Sequence, residues 1–356
     1  MKNIHYIALA LLTLFFFSAP AAASGHDEGG EVDVNHLVFG HIGDAYEWHI
    51  ATFGETVVSI PLPVIVYSST GWHVFSSSRL EEGEYEGLYI ANGGDNDGKI
   101  VERNPEGFEV RPLVDISITK NVLGLWINSA ILVIIMLCCS RWYKKHELQE
   151  AAPGGGVGVI EVVVMYIYEE VIKSCVGPDY KRYVPYLLTA FFFVLINNLM
   201  GLIPFFPGGA NVTGNIAVTF VLALFTFAFI NLFGTKEYWK DIFWPKVPVW
   251  LKCPIPMMPV IEIFGMFTKP FALMIRLFAN IMAGHAAILS LMAIIFITVK
   301  NGPVINGSMT FVSVAFGIFM DALEVLVAFI QAYVFTMLSA VFIGLSRVKE
   351  HEAEHK

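Results

Sequence analysis

Charge is scarce in this chain. Only 15% of its 356 residues are Asp, Glu, Lys or Arg, 56% are hydrophobic, and the mean hydropathy is +0.63. That balance excludes an ordinary soluble domain and reads as a protein that crosses a membrane several times. Cysteine is sparse too. Cys138, Cys139, Cys175 and Cys253 form no CxxC pair and imply no disulfide framework or zinc site. Phosphate-cradling glycine patterns in a helix context are missing, so no nucleotide site is expected, and no cofactor is called for. The apolar segments hold no Ser/His, Asp/Asp or zinc constellation, which argues against an intramembrane enzyme. They also show no inverted repeats with matching helix breaks, which argues against a secondary transporter. HEAEH at His351 to His355 formally fits HExxH, but only Lys356 follows it, so it reads as a solvated tail.

The charge that is present is unevenly placed. Residues 24–116 hold seventeen Asp/Glu against Arg79, Lys99, Arg103 and Arg111, a local net of −13 within an overall −9. Such a block repels phosphate, so nucleic acid is not an expected partner. Before it, residues 1–23 carry Lys2, an apolar core from Ile7 to Phe17 and small residues Ala19 to Ala23, the layout of a cleaved signal peptide. Residues 24–116 are therefore expected to be an exported acidic module. IPLPVIVYSS and GWHVFSSS have strand character and GGDNDG breaks the chain, so two to four strands are predicted. His26, His36, His41, His49 and His73 lack metal-ligand spacing.

Five longer apolar segments follow, at about 119–141, 183–205, 216–234, 259–299 and 311–346. The last two exceed the ~20 residues needed to cross a bilayer, so they are expected to tilt, bend or extend beyond it. GVIEVVVMYIYEEVIKS, residues 158–174, follows a GGG linker and mixes Glu161, Glu169, Glu170 and Lys173 with apolar residues. It reads as a helix at the interface or packed on the bundle, not a sixth span. The loop 141–182 carries six Lys/Arg and 235–258 carries four, whereas 206–215 has none and 300–310 only Lys300. The positive-inside rule then sets the N-terminus outside and the C-terminus, a tail over 347–356, inside.

Polar residues stand out most in the two long segments. Glu262, Lys269 and Arg276 are seven apart and share a helix face, with Asn280 one turn on and His285 beyond. A guanidinium deep in a span is expensive and stays charged, so Arg276 is a functional-site candidate by default. The last segment carries Asp321, Glu324 and Gln331. Arg276 to His285 rises about 13.5 Å and Glu324 to Gln331 about 10.5 Å at about 1.5 Å per residue. An antiparallel pair can thus set His285 beside Glu324 and Arg276 beside Gln331. Imidazole next to carboxylate is a proton relay, and an arginine that cannot lose its proton is a fixed electrostatic barrier. Asn280 or Gln331 alone would be read as interhelix hydrogen bonding. Arg276 has no evident carboxylate at its own level, which points to a partner on another polypeptide.

FTKPFALMIRLFANIMAGH (267–285), FVLINNLMGLIPF (193–205), GNIAVTF (214–220) and LEVLVAFIQAYVFTMLSAVFIGLS (323–346) closely resemble subunit a of the rotary ATP synthase membrane sector. The resemblance covers about 117–346. It implies an all-α membrane domain of five transmembrane helices, two of them long and tilted, with an interfacial helix, behind the small N-terminal β-rich module. It implies a non-catalytic, proton-translocating subunit of the bacterial inner membrane, held in lipid against the c-ring and the subunit b stalk. Arg276 would face the ring carboxylate and separate two half-channels. His285, Glu324, Asn280, Gln331 and Asn215 would line the exported-side path, with Asn198 and Asp321 near it, and Glu262 and Lys269 would lie toward the cytoplasmic exit. Gly201 departs from the acid that some members carry after Asn-Leu-Met, and residues 24–116 exceed the family's usual N-terminus.

Overall fold

The computed structural model describes residues 43–347, apart from 54–55, 82, 92, 104–107, 147–152, 204–205 and 245–256. The signal-peptide reading of 1–23, His26, His36 and His41, Cys253 and the HEAEH tail lie outside the described residues.

Among the described residues the strands run from Glu47 to Asp115. β1 (Glu47–Phe53) pairs antiparallel with β2 (Thr56–Pro61). β3 (Pro63–Ser68) is the centre of a three-stranded sheet between β4 (Gly71–Ser76) and β8 (Val114–Asp115). A one-turn helix α1 (Ser78–Glu81) leads to β5 (Leu88–Ile90), β6 (Ile100–Arg103) and β7 (Glu109–Val110), which form a third sheet with β6 central. Among the described residues that is eight short strands where two to four were expected. The short pairs β7 and β8 carry too little periodicity to announce themselves.

Alternation explains the core of this region. Val64 and Val66 on β3 point inward and are fully buried, and with Tyr46, Phe75, Leu80, Leu88 and Ile100 they form one cluster. The opposite face of the same sheet is apolar and open: Tyr67, Trp72, Val74 and Val114 are exposed, with Tyr67 and Trp72 in register and 5.2 Å apart. Tyr46 donates its hydroxyl to Asp115 Oδ2 at 2.5 Å, and burial together with that carboxylate pushes the phenol above its ordinary range.

Helices make up the remainder. α2 (Lys120–Lys145), α5 (Tyr180–Leu202), α8 (Met257–Thr298) and α9 (Pro303–Ser346) are each long and apolar enough to cross a membrane. α6 (Ile216–Leu232) and α7 (Lys236–Phe243) are bent by 98° at their junction and make a fifth span if the pair counts as one. At about 1.5 Å per residue, α8 and α9 exceed 60 Å, twice a bilayer core. Residues 158–174 are helical: α3 (Gly155–Tyr166) runs into a π-helical stretch, Ile167–Lys173, and a final turn α4 (Ser174–Val176). The π geometry lets the adjacent Val171 and Ile172 both be buried while Glu169 and Glu170 stay exposed.

The chain divides into two compact units, and α2, α5, α8 and α9 contribute to both. The first joins residues up to Ile127 with Met200–Val212 and Ala283–Glu324; the second joins Asn128–Leu199, Thr213–Met282 and Val325–Lys356. The second has its own core around Tyr183, Leu187, Phe191, Leu273, Leu277 and Ile343. Gly344 is required there, because a Cβ would strike the Cys175 carbonyl. Arg347 closes that end, bonding the Asp179 carboxylate and donating to the Phe233 carbonyl at 2.9 Å.

Candidate functional site

Within the first unit, α8 and α9 bring His285 and Glu324 into one neighbourhood. The Glu324 carboxylate lies directly on Gly284, the residue before His285, so closely that a Cβ there would run into Oε1. Glycine at 284 is what lets α9 place a carboxylate against the α8 backbone. Glu324 is only 9% exposed, and among the described residues its Oε2 is buried without a hydrogen-bond partner. An unpartnered carboxylate oxygen in a buried setting is costly, so it marks a functional position more than a structural one. Asp321, half-buried one turn earlier on α9, acts on Glu324 electrostatically. On its other side His285 approaches α5: a Cβ at Gly201 would be 3.8 Å from Nε2. A Cβ at 201 would stand in ordinary contact with the ring, so this position borders the imidazole.

Within the second unit, Arg276 is exposed on α8. Its face continues through Ala272 and Ala279, both exposed, and among the described residues it pairs with no carboxylate. Thr268, Lys269, Ala272, Leu273 and Arg276 line a groove of about 300 Å³ with Leu338 and Phe342 of α9. Lys269 stands over the Phe342 ring at 5.8 Å. Asn280 is half-buried and its Nδ2 lacks a partner among the described residues, so it is not a satisfied interhelix amide. Gln331 is half-buried on α9, and no hydrogen bond joins it to Arg276. Glu262 is half-buried near the start of α8 and acts electrostatically on Tyr238.

Asn198 and Asn215 are committed to the fold. Asn198 Oδ1 accepts from Thr213 Oγ1 at 2.7 Å, and its Nδ2 donates to the Ala328 carbonyl at 3.4 Å. Asn215 caps α6, accepting from Ala217 N at 3.0 Å.

Comparison with known proteins decides the family. The family model described as ATP synthase A chain matches residues 123–344. The chain belongs to the ATP synthase A chain family. It is 38% identical to ATP synthase subunit a of Chlorobium phaeobacteroides, an alignment covering all of this chain and 95% of that one. It is 47% identical to ATP synthase subunit a 2 of Prosthecochloris aestuarii over 94% of this chain and 86% of the relative. It is 36% identical to ATP synthase subunit a of Anaeromyxobacter over 95% and 76%. A second model, a domain of unknown function (DUF8433), matches residues 37–117. The chain is thus similar throughout to F-type ATP synthase a subunits, membrane-embedded components of a multi-subunit complex, and is itself a multi-pass membrane protein.

Two residues escaped the reading of the sequence. Asp44 and Lys120 flank the β strands, and Asp44 caps the first turn of α2. Its Oδ2 accepts from Thr119 Oγ1 at 2.8 Å and its Oδ1 from Asn121 N at 3.0 Å. No local pattern links residues more than seventy positions apart. The one available signal was a lone lysine opening an otherwise apolar run.

Proposed function

We infer that the chain is the proton-translocating stator subunit of the ATP synthase membrane sector, forming two half-channels against the rotating c-ring. Arg276 faces the ring carboxylate, keeps it ionised as it passes, and stops protons from crossing directly between the half-channels. The observation that carries this reading is Arg276 itself: a permanent cation in an apolar span, exposed, unpaired with any described carboxylate, and flanked by Ala272 and Ala279. Small neighbours admit a second helix closely, and an unpaired cation calls for an anion from outside the chain.

The chemistry follows from cost. A charged carboxylate is expensive against lipid, so ring sites travel through lipid protonated. A fixed guanidinium favours the ionised form only where the ring meets this subunit. His285 and Glu324 serve the exported-side half-channel, with Asp321, Asn280, Gln331, Asn215 and Asn198 along it. Glu262 and Lys269 serve the path to the cytoplasm. One charge falling through 100 mV releases about 2.3 kcal/mol, so several protons are needed for each ATP made elsewhere in the complex.

The same reading assigns residues 1–23 to a signal peptide, 24–116 to an exported module, 117–346 to the membrane domain and 347–356 to a cytoplasmic tail. The protein sits in the bacterial inner membrane, beside the subunit b stalk. The test compares wild type with Arg276→Ala in inverted vesicles, measuring ATP-driven pumping and passive proton leak after the catalytic head is stripped. Loss of pumping with conduction retained supports the assignment. Normal coupled pumping overturns it in favour of a secondary transporter.

A further inference from the structure

The β region is joined to the His285 neighbourhood by a continuous run of close contacts, all inside the first unit. Trp48 of β1 is 2% exposed and packs edge-on against Phe206 at 5.3 Å. Gly124 of α2 faces Trp48, Val212 and Ala210, the last so tightly that a Cβ would sit 2.5 Å from the alanine Cβ. The carbonyl of Ala210 in turn lies 3.6 Å, and His285 Nε2 3.8 Å, from where a Cβ at Gly201 would be. Lys120 is one helical turn before Gly124 and so on the same face of α2. It is tied to the β region by its own amide, which donates to the Ala45 carbonyl at 2.8 Å, and by the Asp44 cap. Its ammonium is within electrostatic reach of both the Asp44 carboxylate and the His285 ring.

We propose that the N-terminal β region forms the outer mouth of the half-channel leading to His285 and Glu324, with Asp44 and Lys120 setting the charge that an arriving proton meets. The inference rests on the half-channel reading given above. It assigns a role to a region whose family model carries none. The acidic surface gathers cations, and Lys120, tied to Ala45 at the first turn of α2, stands between it and the relay. Lys120 of α2 acts on His285 electrostatically and Asp44 acts on Lys120, while on α9 Asp321 acts on Glu324, whose carboxylate lies on Gly284 beside His285. Lys120 is a positioning residue, since it acts on the relay through the field at His285 and carries no proton along the path.

Opposite charge changes give opposite outcomes, which loosened packing would not. A cation near an imidazole opposes its protonation and an anion favours it. In the complete ATP synthase reconstituted in vesicles, proton conduction is measured while pH is varied on the side of the N-terminus. Lys120→Gln is expected to move the conduction midpoint about half a pH unit toward alkaline, and Asp44→Asn about as far toward acid. Lys120→Arg is expected to match wild type. Asn at 44 can still accept the Asn121 amide through its side-chain oxygen, so that variant decides the matter if Lys120→Gln fails to assemble. Unmoved midpoints, or two shifts of the same sign, overturn the proposal. His285→Ala separates the two levels. If it conducts normally, the half-channel reading itself fails. If it blocks conduction while the Asp44 and Lys120 variants keep the wild-type midpoint, only the role of the mouth is lost.

Discussion

Glu324 and Arg276 are both ionisable groups on membrane-length helices, yet the fold treats them in opposite ways. Glu324 is buried, pressed against the backbone of Gly284, and left with an unpartnered oxygen. Arg276 is exposed, bordered by alanines and a shallow groove. A group that must exchange a proton gains from enclosure, because a dry setting brings neutral and charged forms close in energy. A group that must keep its charge needs an opening toward a counter-charge instead. The two environments divide the labour of the proposed function between switchable and fixed charge.

The largest expected effect comes from forcing the fixed charge to become a mobile one. Arg276→Lys keeps the sign but loses the planar fork, and ATP-driven pumping in inverted vesicles is expected to fall on the order of a hundredfold. Wild-type pumping would mean that any cation suffices there. The enclosed member is tested next. Gly284→Ala drives a methyl into the Glu324 carboxylate, and overpacking of this kind costs about 1–3 kcal/mol. Pumping and thermal stability should both drop, and the double variant Gly284→Ala/Glu324→Asp, with its shorter side chain, should recover stability. Absence of that recovery would break the packing half of the comparison.

Smaller effects should appear away from both groups. Tyr46→Phe removes the hydrogen bond to Asp115 and should cost about 1 kcal/mol at neutral pH. Because the folded phenol holds its proton more tightly than the unfolded one, stability of the β region should decline as pH rises past about 10. The Phe variant should lack that alkaline decline in a melting series. Val74→Ser, on the open face of the β3 sheet, is expected to change stability by less than about 0.5 kcal/mol. A larger loss would show that this face is covered in the assembled complex.

Much of the molecule could be read from one dimension. Apolar length located α2, α5, α6, α8 and α9 to within a few residues at most ends, although α9 begins at Pro303, before the expected 311. Gly302 and the polar Asn306 to Ser308 made that first turn look like a loop. Helical rise in an antiparallel pair is what set His285 level with Glu324 in the sequence, and the structure lays the Glu324 carboxylate on Gly284. What the sequence withheld depends on contacts between distant residues. The π-helical stretch at Ile167–Lys173 arises from packing, since its apolar and acidic residues fit an ordinary amphipathic helix equally well. Asn198 reads as a channel lining, but the identity of its partners, Thr213 and the Ala328 carbonyl, becomes visible only in the fold.

The Asp44 cap also bears on how the protein is made. A helix entering a bilayer begins with amides that no earlier turn can satisfy, and each is costly without water or a partner. Here two of them, on Lys120 and Asn121, are met by Ala45 and Asp44. The N-terminal end of that helix is therefore completed only once the β region has folded beside it. Completion of that segment is thereby coupled to folding of the β region, so a misfolded N-terminal region leaves the start of the span without its cap.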